Sequence, residues 1–170
     1  LHKTLAQHAG DIRKTINYAH KQGLRVNLYL EDWSNGYRDN PDYVYELMER
    51  LQNAGISHFM LPDTLGVLTP EEVSASLTDM IARFPESEFD FHPHNDYGLG
   101  TANALAAVRA GISTIHCTIN CLGERAGNAA LEEIGMAMKV RSDTLPFETD
   151  IKPDYLSRAS AMASRITGFP

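Results

Sequence analysis

Two histidines separated by one residue, His92 and His94 in Phe91-His92-Pro93-His94-Asn95-Asp96, have the clearest chemical potential in this chain. Successive side chains on a strand point to opposite faces, so residues two apart share a face and both imidazoles can reach one ion. A helix would separate them. Downstream lies Gly123-Glu124-Arg125-Ala126-Gly127-Asn128, a polar run that begins on glycine. Together the two segments read as a divalent-metal site, whereas an isolated His-x-His pair would more often be a solvated surface feature. The elements that carry them decide between these readings.

The chain has 170 residues, 43% apolar and 22% charged, the balance of one globular domain able to bury a core. No apolar run approaches the roughly twenty residues of a membrane helix, and no basic-then-apolar leader opens the chain. No membrane partner and a cytoplasmic location are therefore expected. A formal net charge of -7, with 15 scattered basic residues, argues against a nucleic-acid surface, which needs clustered Lys and Arg. Cys117 and Cys121 have no second pair to complete a zinc knuckle or a disulfide framework, and read as reduced structural thiols.

Runs of β-branched and aromatic residues predict strands over Leu24–Leu30, Ser57–Leu61, Glu88–His92 and Ser113–Ile119. Helical patterns fill the intervals. Leu5–Lys21 precedes the first strand, and Asn40 caps a helix that opens on Pro41 and stops before Gly55. Thr69 and Pro70 start another, with Glu71 and Glu72 at the positive end of its dipole. Gly98–Ala110, ended by Gly111, and Asn128–Lys139 follow, and Pro153–Ile166 lies beyond the repeat.

Such alternation requires parallel strands with right-handed crossovers, hence an α/β fold: an open doubly wound sheet or a (β/α) barrel. No G-x-G-x-x-G turn follows the first strand, which weakens a dinucleotide-binding version. Polar residues gather where the strands end: Glu31 and Asp32, Asp63 and Thr64, His92 and His94, and Asn120. In either fold ligands bind at that edge, so four strands contributing to one rim predict a shared site. Four repeats are half of an eight-stranded barrel, and the opening on helical residues without Met leads us to expect a fragment whose partner strands precede Leu1.

Five ordered motifs resemble the second half of the metal-dependent acyl-CoA condensing and cleaving TIM barrels. They are Tyr29-Leu30-Glu31-Asp32, Leu61-Pro62-Asp63-Thr64-Leu65-Gly66, His92-Pro93-His94-Asn95-Asp96-Tyr97-Gly98-Leu99, Ala102-Asn103 and Gly123-Glu124-Arg125-Ala126-Gly127-Asn128. That family includes isopropylmalate, homocitrate and citramalate synthases and, more distantly, hydroxymethylglutaryl-CoA lyase. The resemblance runs from Leu5 to Lys139. It implies that residues 1–141 form the C-terminal half, about four βα units, of a TIM (β/α)8 barrel. Residues 142–170 would be a linker and the start of a helical subdomain. The intact G-E-R-A-G-N run resembles the condensing synthases; the lyases carry a longer loop with a catalytic Cys. Cys121 has a different spacing and reads as a packing substitution. The run from Tyr29 to Gly36 most resembles the citramalate branch, because isopropylmalate synthases generally carry a small residue where Tyr29 stands.

The resemblance implies a Claisen-type condensation of acetyl-CoA with an α-keto acid. Pyruvate, giving citramalate, is the favoured substrate; 2-ketoisovalerate, as in isopropylmalate synthases, is the close alternative, and lyase-like cleavage a more distant one. The implied cofactor is a divalent metal ion: Zn, Mn, Co or Mg. His92 and His94 would supply nitrogen ligands and Asn128 an amide oxygen, and the family's further ligand, an Asp on the barrel's first strand, is not among these residues. Thr64 would bind the keto acid carboxylate, Tyr29 would line its pocket, and Glu31 would act near the acetyl methyl as a general base or the orienter of one. Asp96 would either orient a ligand imidazole or sit at a helix N-terminus. Asn95, Glu124 and Arg125 are assigned to loop geometry, and His2, His8, His20 and His58 to structure. His116 matches no family ligand. A homodimer is implied for the full-length enzyme, and the half barrel alone is expected to be inactive. From a different class comes the reading of a metal-binding or oligomerising half barrel without catalysis.

Overall fold

A computed structural model describes residues 3–169, so His2 lies outside the described residues. Thr4 opens α1 (Leu5–Lys21) with a capping box: its hydroxyl accepts from the Gln7 N–H, and the Gln7 side chain accepts from the Thr4 N–H. After β1 (Leu28–Tyr29) and a short α2 (Trp33–Asp39), the Asn40 side chain accepts from the Tyr43 N–H and starts α3 (Pro41–Gln52). β2 (His58–Asp63) leads to α4 (Pro70–Arg83), whose Thr69 and Glu72 form a second capping box. β3 (Glu88–Pro93), α5 (Gly100–Ala110) and β4 (Thr114–Ile115) follow, then a 3₁₀ turn over Ile119–Cys121, α6 (Leu131–Val140) and α7 (Pro153–Thr167).

The four strands pair in parallel in the order β1-β2-β3-β4, each joined to the next through helix. The register Tyr29↔Met60↔Asp90↔Thr114 sorts the side chains onto two faces. On one face Phe59, Leu61, Phe89 and Phe91 are buried beneath helices that contribute Met48, Leu51, Val73, Leu77 and Met80. Each such side chain, removed from water, contributes about 1.5–3 kcal/mol. The opposite face carries Tyr29, Glu31, His58, Thr64, Asp90, His92, His94 and His116, the polar interior of an arc of barrel.

Several elements depart from the sequence expectation. β1 keeps two residues of the predicted Leu24–Leu30, because it is an edge strand with a ladder partner on one side only, and Leu24 is left exposed. β4 is cut short where the chain turns at Thr118, which bridges Ala130 instead of continuing alongside β3. α6 starts at Leu131 rather than Asn128, since Asn128 is held in extended pairing with His94. α2 was not anticipated: Ser34, Asn35 and Gly36 are poor helix formers, and the burial of Trp33 and Ser34 overrides them. Among the described residues no helix is long and apolar enough to cross a membrane.

Candidate functional site

β3 delivers His92 and His94 to the polar face, with Pro93 between them buried on the other side. Their Nε2 atoms lie 3.3 Å apart and their rings are nearly perpendicular, at 79°. Two imidazole nitrogens bound at roughly 2.0–2.1 Å to one tetrahedral ion are separated by about 3.3–3.4 Å, so the pair already has the spacing of a shared cation. Burial, and then the neighbouring His94 and His116, lowers the His92 pKa to about 4, which keeps its lone pair available near neutrality. The Nδ1 atoms of both rings are buried without a hydrogen-bond partner among the described residues.

Asn128 arrives from the other side. Asn95 N–H donates to Gly127 O at 2.9 Å and Ala129 N–H to Pro93 O at 3.1 Å, which makes His94 and Asn128 a non-hydrogen-bonded antiparallel pair. Side chains approach closest in that pairing. The Asn128 Nδ2 donates to Leu122 O at 3.2 Å, fixing the amide so that Oδ1 is buried with no partner among the described residues. Gly123 makes room for it, since a Cβ there would stand 2.6 Å from Nδ2. An orphaned acceptor is costly unless something positive meets it. Two convergent nitrogens beside a bare amide oxygen therefore fit a divalent cation. Among the described residues no three His, Cys, Asp or Glu side chains gather as a metal cage.

The strand ends beside this pair carry the remaining anticipated residues. Thr64 Oγ1 accepts from the Asp32 N–H at 3.0 Å and donates to Glu31 Oε1 at 3.1 Å, joining the ends of β1 and β2. The Tyr29 ring meets His92 edge-on, with centroids 6.0 Å apart. Burial, then the Glu31 carboxylate, pushes the Tyr29 phenol up to about 12, so it stays protonated. Tyr29, Glu31, Thr64, His92, His94 and Asn128 thus share one rim.

Other rim residues do different work from that anticipated. Asp96 orients no imidazole: it takes a two-pronged bond from Arg125, Nε to Oδ1 at 2.7 Å and Nη2 to Oδ2 at 2.8 Å, which lowers its pKa. Asn95 Oδ1 accepts from the N–H of Gly100, the first residue of α5, at 2.9 Å. Buried Asp63 closes its own loop through the N–H groups of Val67 and Leu68. Asn120 turns away from the rim, donating to Ser160 O and Ser164 Oγ of α7. His58 and His116 belong to a network that sequence reasoning missed, each placing Nε2 on one oxygen of buried Asp90, at 2.6 and 3.0 Å. The signal was available: Asp90-x-His92-x-His94 extends the same alternation by one step.

The HMGL-like family model matches residues 1–162. The chain belongs to the HMGL-like family. Over 164 residues it is 41% identical to the 2-isopropylmalate synthase of Methylococcus capsulatus, an alignment spanning 92% of this chain and 32% of that protein. Over 144 residues it is 44% identical to the 2-isopropylmalate synthase of Bradyrhizobium diazoefficiens, spanning 82% and 28%. The chain thus spans less than a third of the length of these curated relatives. Among solved structures, the HMG-CoA lyase of Bacillus subtilis superposes with a TM-score of 0.82 at 26% identity, covering 99% of this chain and 58% of that one. The carboxyl transferase domain of Rhizobium etli pyruvate carboxylase, solved with pyruvate, shares the fold at a TM-score of 0.74 and 21% identity, covering 92% and 27%. This HMGL-like chain is accordingly a four-stranded portion of a TIM barrel, with its polar rim at the C-terminal ends of the strands, where such barrels bind ligands.

Proposed function

We propose that this chain forms part of the catalytic barrel of an enzyme that condenses acetyl-CoA with an α-keto acid, and that the keto acid is 2-ketoisovalerate, as in 2-isopropylmalate synthases. The observation that carries the reading is the convergence of His92 Nε2 and His94 Nε2, 3.3 Å apart, beside the orphaned Asn128 Oδ1. Identities of 41% and 44% to synthases of that name support the choice of keto acid. Residues 1–141 would make up the barrel portion and 142–170 the link to a helical subdomain, with the full-length enzyme a homodimer.

In this reading His92 and His94 would hold a divalent ion through Nε2, and Asn128 would add a neutral oxygen. Neutral donors leave the ion's charge available to an anionic substrate. A bound divalent ion supplies Lewis-acid polarisation of a ketone and stabilisation of the charge that develops on its oxygen. Thr64 exchanges its bond to Glu31 for one to the keto acid carboxylate. That exchange frees the Glu31 carboxylate to take a proton from the acetyl methyl, or to orient the group that does. Protonated Tyr29, edge-on to His92, bounds the keto acid pocket.

Tyr29 also favours a second reading: its ring occupies space that a branched keto acid would need, which suits pyruvate and citramalate formation. Thiol release from acetyl-CoA by the intact enzyme separates the two. Release should require both keto acid and divalent metal, stop with chelator and run faster with 2-ketoisovalerate. Release indifferent to keto acid or chelator would overturn the proposal, and faster turnover with pyruvate would move the assignment to citramalate.

A further inference from the structure

We propose that Arg125 is a positioning residue that locks the Gly123–Asn128 run to the end of β2, holding the Asn128 amide and the Thr64 hydroxyl in register across the site. The inference rests on the metal-site reading above.

Arg125 joins three loops that are distant in sequence. Its Nε and Nη2 take both oxygens of Asp96, in the loop after β3, and Nη2 also donates to the backbone carbonyl of Thr64, at the end of β2, at 2.7 Å. The guanidinium itself stands in the G-E-R-A-G-N run, three residues before Asn128. An exposed ion pair by itself stabilises little, and the Arg125 and Asp96 side chains keep 38% and 22% of their surface in contact with solvent. The bond to the Thr64 carbonyl turns this pair into a tie. It fixes the backbone of the residue whose hydroxyl serves the keto acid.

Two backbone features show that the tie is over-determined. Arg125 adopts a left-handed conformation with φ 57, which is strained for a non-glycine residue and persists only where surrounding contacts hold it. Gly66, in the loop after β2, also has φ 57, and a Cβ there would stand 2.7 Å from the Asp96 backbone nitrogen. The loop is bare where Asp96 must approach. Lysine cannot take over, because one ammonium does not span two carboxylate oxygens and a carbonyl in a planar fork.

The test uses the intact enzyme with Arg125→Ala, Arg125→Lys and, as reference, His94→Ala. Mn2+ binding is read by equilibrium dialysis, the 2-ketoisovalerate KM by thiol release, and the melting of metal-free protein by calorimetry. Both Arg125 variants should bind Mn2+ about 10- to 100-fold more weakly, the loss typical of residues that orient metal ligands. Both should raise the KM, with melting midpoints within about 2 °C of the parent. Unchanged Mn2+ affinity, full rescue by lysine, or losses that track a fall in the melting midpoint would overturn the positioning role. If His94→Ala itself retains Mn2+, the metal-site reading fails first. If His94→Ala loses Mn2+ and Arg125→Ala keeps it, the positioning role falls alone.

Discussion

Gly123→Ala adds one methyl group and should displace the Asn128 amide without disturbing the fold. Gly123 is exposed and lies outside the positive-φ set, so alanine fits its backbone. The added Cβ would stand 2.6 Å from Asn128 Nδ2 and 3.0 Å from Oδ1, whereas ordinary contact begins at 3.4 Å. The amide must therefore retreat by about 0.8 Å, and a flexible side chain does so by rotating. Metal–ligand distances tolerate only about 0.2 Å, so Oδ1 leaves coordination range. Metal affinity should fall about 10- to 100-fold. Stability should barely move: the lost Asn128–Leu122 hydrogen bond costs about 1 kcal/mol, and the stiffer unfolded chain returns about 0.4–1 kcal/mol. The assay is Mn2+ titration of the intact enzyme, paired with calorimetry of the metal-free form. Asn128→Ala should give a similar loss, and the double variant no more, because both remove one interaction. Gly127→Ala is the contrast: its Cβ would fall 1.9 Å from the Cys121 carbonyl oxygen at φ 89, so it should lower the melting midpoint as well. Wild-type Mn2+ affinity in Gly123→Ala would refute the placement of Asn128 at the ion.

Three further outcomes follow from the same geometry. Asn103 is fully buried and donates to Leu68 O at 2.8 Å, so Asn103→Ala should cost about 1–3 kcal/mol, roughly 2–4 °C in melting midpoint per kcal/mol; an unchanged midpoint would count against that bond. Tyr29→Ser should shift the ratio of kcat/KM values toward 2-ketoisovalerate over pyruvate by about tenfold or more, and an unmoved ratio would remove Tyr29 from the pocket. In chelator-treated protein the lowered His92 pKa means that the unfolded chain binds the extra proton between about 6.5 and about 4. Stability from this source is complete above that window and declines as pH falls through it; melting midpoints measured from pH 7 to 4 should show the fall, and His92→Asn should flatten it.

Much of the candidate site was legible because its signals are local. Asn40 and Thr69 stand where helix starts require caps, and both accept the N–H bonds expected of them. His92 and His94 share a face because strand geometry leaves them no alternative. Asp90 obeys the same alternation, yet a single Asp in an apolar run does not announce its partners; His58 and His116 reach it only across neighbouring strands. Asn120 and Asp96 carry the opposite lesson: polar residues near strand ends suggest a place on the rim, but their side chains turn to Ser164 and Arg125, partners remote in sequence.

Local periodicity and capping chemistry determined the succession of elements, the polar rim and the direction of the histidine pair, since each depends on residues within one turn or one pleat. Tertiary structure decided what those side chains meet. The pairing of Asn128 with His94, the tie from Arg125 to Asp96 and Thr64, and the burial of Trp33 in α2 all arise from chain segments that the parallel sheet brings together. Contacts of that kind depend on packing across the fold, which spacing along a sequence does not encode.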